Sequence, residues 1–212
     1  MNLETINPYV LKILISARKQ DSISSISKRI SLSYGWTHKW VGELAKEGVF
    51  KEKWRGITLQ EGNEKYKAIL RFIKENLSNI SFYYSVLTLF GIKYCFTKTD
   101  AVYLWTEGKY NIARYRDYYP VFIKVKKTDY SYFLGYCKKL GLNINSGKGI
   151  FYVPEVLEEF ECEKKKGFPV DRLNETIAFM KKNIYNFQPA LEMIQEMYGK
   201  KLKIAYKEAN SI

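Results

Sequence analysis

The sequence predicts an α+β chain in two parts, residues 1–78 and residues 79–212, and three observations predict it. Apolar side chains recur every three or four residues in three short segments before residue 48. A basic stretch set between two β-prone runs follows them. Beyond residue 79, β-rich runs alternate with helix-like segments, the pattern of α/β or α+β packing. A chain of 212 residues holds one or two domains. With 46% apolar and 16% aromatic residues it has the side-chain volume for real cores, which excludes global disorder.

Asn7 and Pro8 suit the cap and first position of a helix, with Val10, Leu11, Leu14 and Ile15 on one face. The polar break Lys19-Gln20-Asp21-Ser22 precedes a second helix over residues 22–30. Asp21 or Ser22 caps it, and Ile23, Ile26 and Ile30 point inward. After the tight connection Ser31-Leu32-Ser33, a third helix covers residues 33–47. Its inner stripe is Thr37, Trp40, Val41 and Leu44, and Gly48 ends it, because a left-handed backbone costs glycine little. Two short helices across such a turn form a helix-turn-helix, whose second helix enters the major groove of DNA. Val49-Phe50 and Ile57-Thr58-Leu59 predict two short strands with a basic wing between them. A helix over residues 61–77 closes the unit, with Tyr66, Ile69, Leu70 and Ile73 on one face. Residues 1–78 thus read as a winged helix-turn-helix DNA-binding domain, and residues 79–212 as a mixed α/β effector or dimerisation domain.

Leu44-Ala45-Lys46-Glu47-Gly48-Val49, the basic hairpin, and Gly56-Ile57-Thr58-Leu59-Gln60-Glu61-Gly62 together resemble the winged-helix pattern of MarR-type and related archaeal regulators. Those families follow the wing with Leu-Thr-x-x-Gly, of which Thr58-Leu59-Gln60-Glu61-Gly62 is a shifted variant. The resemblance covers residues 7–76.

With the apolar stripe inward, Tyr34, Trp36, His38, Lys39 and Glu43 are left on the outer face of the third helix. Ser33 and the first-turn amides suit a phosphate, since a helix N-terminus attracts anions. Lys39 suits a phosphate or guanine, His38 a base edge, and Tyr34 and Trp36 a sugar or thymine methyl. Lys51, Lys53 and Arg55 on the wing suit a phosphate track or the minor groove. A plainer reading stays open for each. Tyr34 and Trp36 can cover the seam between helices, His38 can be an ordinary surface residue, and the wing cations can be a solvated turn. No arginine lies on the recognition helix to read guanine, so a dimer on two half-sites is expected to supply discrimination.

The formal net charge is +13, from 35 Lys and Arg against 22 Asp and Glu, which implies an anionic partner or simple solubility. No apolar run approaches the length of a membrane span, and no secretory signal is visible. Cys95, Cys137 and Cys162 lie far apart without a CxxC pair. That argues against a zinc module or disulfide scaffold and suits a reducing cytoplasm.

In the second part, residues 81–90 predict a buried helix and residues 92–96 a strand. Thr97 or Thr99 caps a short helix through Trp105, and a loop over residues 106–119 leads to a strand over residues 121–125. A helix over residues 129–140, a turn at Gly147-Lys148-Gly149, a strand over residues 150–153 and helices over residues 171–183 and 188–198 follow. Tyr94-Cys95-Phe96-Thr97-Lys98-Thr99-Asp100-Ala101-Val102-Tyr103-Leu104-Trp105, then Pro120-Val121-Phe122-Ile123-Lys124-Val125, then Phe168-Pro169-Val170 resemble the effector domain of AbiEi-like type IV antitoxins. That family usually carries glycine where Lys98 stands. The resemblance implies a regulator that binds its own promoter through the winged helix and represses transcription.

Nucleotidyl transfer, with which that fold has been compared, needs metal-binding carboxylates beside a phosphate-binding turn. No Asp-x-Asp or Glu-x-Glu stands on a predicted strand. The cluster Glu158-Glu159-Phe160-Glu161-Cys162-Glu163 merges into Lys164-Lys165-Lys166 and reads as a solvated helix end. Gly147 and Gly149 lack the GK[ST] of a Walker loop. No enzymatic activity, cofactor or metal is expected. The loop bearing Lys109, Tyr110, Arg114, Tyr115 and Arg116 interleaves cations with tyrosines, which suits either base stacking or a protein contact. It is the candidate second interaction site, and tyrosines covering the sheet are its plainer reading. The expected partners are double-stranded DNA, a second copy of the chain as a homodimer, and a protein through the C-terminal domain, with no membrane. An antitoxin-like adaptor that neutralises a partner, or a nucleic-acid-processing enzyme, are the alternatives to a regulator.

Overall fold

A computed structural model of the chain describes residues 7–54, 56–112, 114–115, 117–202 and 204. Within them the fold is mixed α+β, with two separate sheets. The chain divides into two compact units: residues up to Ile92 together with Ser131–Leu142, and Lys93–Tyr130 together with residues from Asn143 onward.

The first unit starts with α1 (Pro8–Ser16), where the Asn7 side chain accepts from the Tyr9 amide at 2.9 Å and Pro8 needs no amide partner. α2 (Ile23–Ile30) is capped by Ser22, whose hydroxyl accepts from the Ser25 amide at 3.1 Å. α3 (Tyr34–Lys46) is capped by Ser33 and ends before Gly48, which adopts φ 70°. Thr37, Val41 and Leu44 are buried, the stripe that the spacing predicts, while Trp40 is only half-covered. Ile26 alone of the three α2 isoleucines is fully buried. The sheet contains one strand more than the sequence suggests. β1 (Gln20–Asp21) pairs antiparallel with β3 (Gly56–Leu59), which pairs with β2 (Phe50–Lys53). The polar break of the sequence is therefore a strand, because Asp21 is held on both sides. Its carboxylate accepts from Arg29 Nη1 at 2.7 Å and Nη2 at 3.0 Å and from the Arg18 and Ser22 amides.

α4 (Glu64–Glu75) starts three residues later than its spacing suggests, since Asn63 supplies the cap. α5 (Ile80–Val86) and a 3₁₀ turn (Leu87–Leu89) follow. Residue 78 lies inside this unit. The reason is aromatic packing: Phe90 stands 6.3 Å from Phe133 and 5.0 Å from Tyr136, ring centre to ring centre. The Tyr136 hydroxyl donates to the Ser16 carbonyl at 2.9 Å.

The second unit is built on a six-stranded sheet in the order β6-β7-β5-β4-β9-β8. Its strands are β4 (Tyr94–Phe96), β5 (Tyr118–Lys126), β6 (Asn143–Ile144), β7 (Gly149–Leu157), β8 (Glu163–Lys165) and β9 (Phe168–Val170). β5 runs antiparallel to β4 and parallel to β7 along its whole length. α6 (Lys98–Trp105) joins β4 to β5, and α7 (Lys127–Leu140) leaves β5 and carries the chain back into the first unit at Ser131. α8 (Leu173–Lys182) and α9 (Ile184–Tyr198) end the described fold. Two sequence expectations are corrected here. Glu163–Lys165 is an edge strand and not a helix end, because Glu163, Lys164 and Lys165 pair with Val170, Pro169 and Phe168. α9 begins at Ile184, four residues ahead of the expected start, with Pro189 inside it.

Candidate nucleic-acid interface

α3 and the β2–β3 hairpin belong to the first unit, and between them they place most of the residues singled out in the sequence. Ser33 spends its hydroxyl on the cap, accepting from the Trp36 amide at 3.4 Å, and stays exposed. Tyr34 is 55% exposed and Trp36 51% exposed, so neither is sealed into a helix seam. His38 and Lys39 are exposed as well. The Tyr34 and His38 rings pair at 5.9 Å, one turn apart on the helix. Lys39 Nζ stands 5.0 Å from the Trp36 ring and 5.5 Å from the Trp40 ring, a cation held against aromatic faces. Glu43, the carboxylate on this face, pairs with Lys46 at 3.0 Å.

On the hairpin, Lys51 and Lys53 are exposed, and strand alternation puts them on one face with Glu52 on the other. Arg55 lies outside the described residues. Helix and hairpin meet at a groove of about 340 Å³, lined by Tyr34 and His38 on one side and Lys53, Trp54 and Ile57 on the other. Glu52 and the start of α2, Ser22 to Ser24, complete its rim. Sequence reasoning missed that α2 contributes, and it passed over Trp54, which is 95% exposed at the hairpin tip. A tryptophan at the centre of a polar turn, where no periodicity requires it, was the available signal.

Many cations of both units face a carboxylate: Arg29, Lys46, Lys65 and Lys67 in the first, and Lys93, Lys124, Lys126, Lys127, Lys165 and Lys166 in the second. On α3 and the hairpin, no ion pair among the described residues engages Lys39, Lys51 or Lys53.

The second expected surface is divided. Lys109 and Tyr115 are exposed, and Tyr115 pairs with the Tyr118 ring at 6.1 Å. Tyr110 turns inward: its hydroxyl donates to the Asn186 carbonyl and its ring lies 6.0 Å from Phe187. Arg114 is not a surface cation. Its guanidinium is buried against the Asp100 carboxylate at 2.6 Å, its Nε donates to Asn111, and it lies over the Tyr119 ring at 4.6 Å. Asp100 is fully buried on α6 and draws the arginine in, since a buried carboxylate needs a partner. Arg116 lies outside the described residues.

A polar cluster occupies the centre of the second unit. Asp171 accepts from Thr97 Oγ1, from Cys95 Sγ at 3.3 Å and from Lys124 Nζ at 2.7 Å. Thr97 therefore turns its hydroxyl to Asp171 and leaves α6 without a side-chain cap. Burial opposes the Lys124 charge, but the hydrogen bond and charge of Asp171, with Glu175 beyond, outweigh it and raise its pKa. Burial first, then Asp171, pushes the Cys95 thiol up, and burial does the same to Cys137. These groups are held in unreactive states: a protonated lysine and two protonated thiols. Among the described residues no helix is long and apolar enough to cross a membrane, and no three His, Cys, Asp or Glu side chains are grouped to hold a metal ion. No protein-family model matches the chain, and no curated protein matches it.

Proposed function

We propose that the chain is a DNA-binding transcriptional regulator of the winged-helix type, a repressor or autoregulator that acts as a homodimer in the cytoplasm. The observation that carries this reading is the groove between α3 and the hairpin, lined by Tyr34, His38, Lys53 and Trp54, with Trp36, Lys39 and Lys51 also exposed on those two elements and the three lysines unspent on carboxylates. α3 lies in the major groove, the hairpin follows the backbone or minor groove, and occupancy of promoter DNA blocks transcription. The second unit mediates assembly or sensing and carries no catalysis. Lys98 supports its likeness to AbiEi-like domains: it adopts φ 53°, so the position where those domains carry glycine has the backbone that favours glycine. An antitoxin-like adaptor is the second reading, and the exposed Tyr115–Tyr118 pair favours it as a protein contact.

The test is a gel shift of the full chain on the DNA just upstream of its own gene, with salt varied. Log affinity should fall linearly with log salt, by about 0.9 per phosphate contacted. No binding at low salt, or binding indifferent to salt, overturns the reading.

A further inference from the structure

Resting on the DNA-binding reading above, we infer that Trp54 is a wedge, an indole that the hairpin drives into the minor groove and between base pairs, kinking the duplex. Four observations converge on it. The side chain is 95% exposed, the most exposed large apolar residue described. It follows Lys53 directly, so a cation sits beside the ring to hold the flanking phosphate. It lines the groove of about 340 Å³ facing α3 and a second concavity of about 400 Å³ on the β1 side, so the tip projects between two hollows.

The fourth observation is stiffness. β1 pairs with β3 through Gln20↔Thr58 and Asp21↔Ile57. Asp21 is fixed by both terminal nitrogens of Arg29, at 2.7 and 3.0 Å, and that pair is nearly buried. Gly56, the first residue of β3, presses on the Asp21 carbonyl so closely that a Cβ would stand 2.3 Å from it. A wedge has to be stiffer than the stack it opens, and this hairpin is braced along its β3 edge by β1.

The chemistry names the target. The minor groove is about 6 Å wide, so an indole enters edge-on. From there it separates bases most cheaply at pyrimidine–purine steps such as TA, which unstack readily. Specificity would then come partly from deformability, which suits a recognition helix without an arginine.

The experiment uses the full chain and two short duplexes, one with a central run of TA steps and one of G·C pairs only. Each carries a donor and acceptor dye at its ends, and the first carries 2-aminopurine at a TA step. Wild type should prefer the TA duplex, shorten its end-to-end distance and raise 2-aminopurine emission. Trp54→Ala should bind that duplex about tenfold more weakly and leave it straight and stacked. Trp54→Phe should keep much of the bend, and Lys53→Ala should weaken both duplexes alike without changing it. Thermal melts of Trp54→Ala should match wild type, since Trp54 is 95% exposed. If wild type and Trp54→Ala bend and unstack the TA duplex equally, the wedge is overturned and DNA binding stands. If wild type binds neither duplex at low salt, both readings fall together.

Discussion

Lys39 and Lys53 are both exposed lysines, yet their settings predict different losses. Lys39 sits on α3 beside Trp36, and in the proposed docking it meets base edges. Lys39→Ala should cost about 1–3 kcal/mol on an operator and less on random duplex. Lys53→Ala should weaken all sequences about equally and reduce the salt slope by roughly one phosphate. Quantitative gel shifts on operator and random DNA separate the two, and equal losses in both variants would remove the proposed orientation of α3. Arg114 shows the opposite case. Its side chain and that of Asp100 are 1% and 0% exposed, and Asp100 also accepts from the Phe122 amide at 2.6 Å. Arg114→Ala strands a buried carboxylate, so stability should drop by about 3–5 kcal/mol in urea titration. An unchanged midpoint would return Arg114 to the surface role its sequence context suggests.

At the scale of the element, the hairpin depends on contacts that come from outside it. Gly56 has φ 148° and no space for a Cβ against the Asp21 carbonyl. Gly56→Ala should therefore displace β3 from β1 and destabilise the first unit by about 1–3 kcal/mol, with DNA binding lost alongside. Gly62 makes the control, because nothing lies within 4 Å of its Cβ position and its φ is ordinary. Gly62→Ala should stay within about 0.5 kcal/mol of wild type. Thermal melts of the two variants decide the point, and equal melting temperatures would mean that β1 does not brace the hairpin. The cap residues repeat the lesson in reverse. Asn7, Ser22, Ser33 and Asn63 act within three residues of themselves, and the first two were read from neighbouring letters.

For the whole molecule, charge is the controlling quantity. Glu107 is pulled down to about 2 by hydrogen bonds from Lys165 and then Lys166, and Glu159 to about 2 by Lys126 and then Lys93. Their folded pKa values lie below the usual carboxylate value of roughly 4.3. The stability they contribute is thus present above that value and is lost as pH falls toward about 2. Both glutamates are solvent-facing, so the contribution is small and screened by salt. Denaturant midpoints should fall between neutral pH and pH near 2, and the Glu159→Gln variant should show a shallower fall at low salt than wild type. An identical pH dependence in the two proteins would remove Glu159 from the account.

The sequence by itself determined what is local: the order of the helices, five of the strands, the inner stripe of α3, the caps Asn7 and Ser22, and the choice of Tyr34, Trp36, His38 and Lys39 as exposed residues of α3. Periodicity and capping act within a few residues, so neighbouring letters carry them. The tertiary structure alone decided what depends on distant partners. Gln20–Asp21 became a strand because Arg29 and β3 hold it, β8 and β9 formed a hairpin from three-residue segments too short to show alternation, and Arg114 went inside because Asp100 was already there. A buried carboxylate and the cation that answers it stand 14 residues apart, and no local rule connects them.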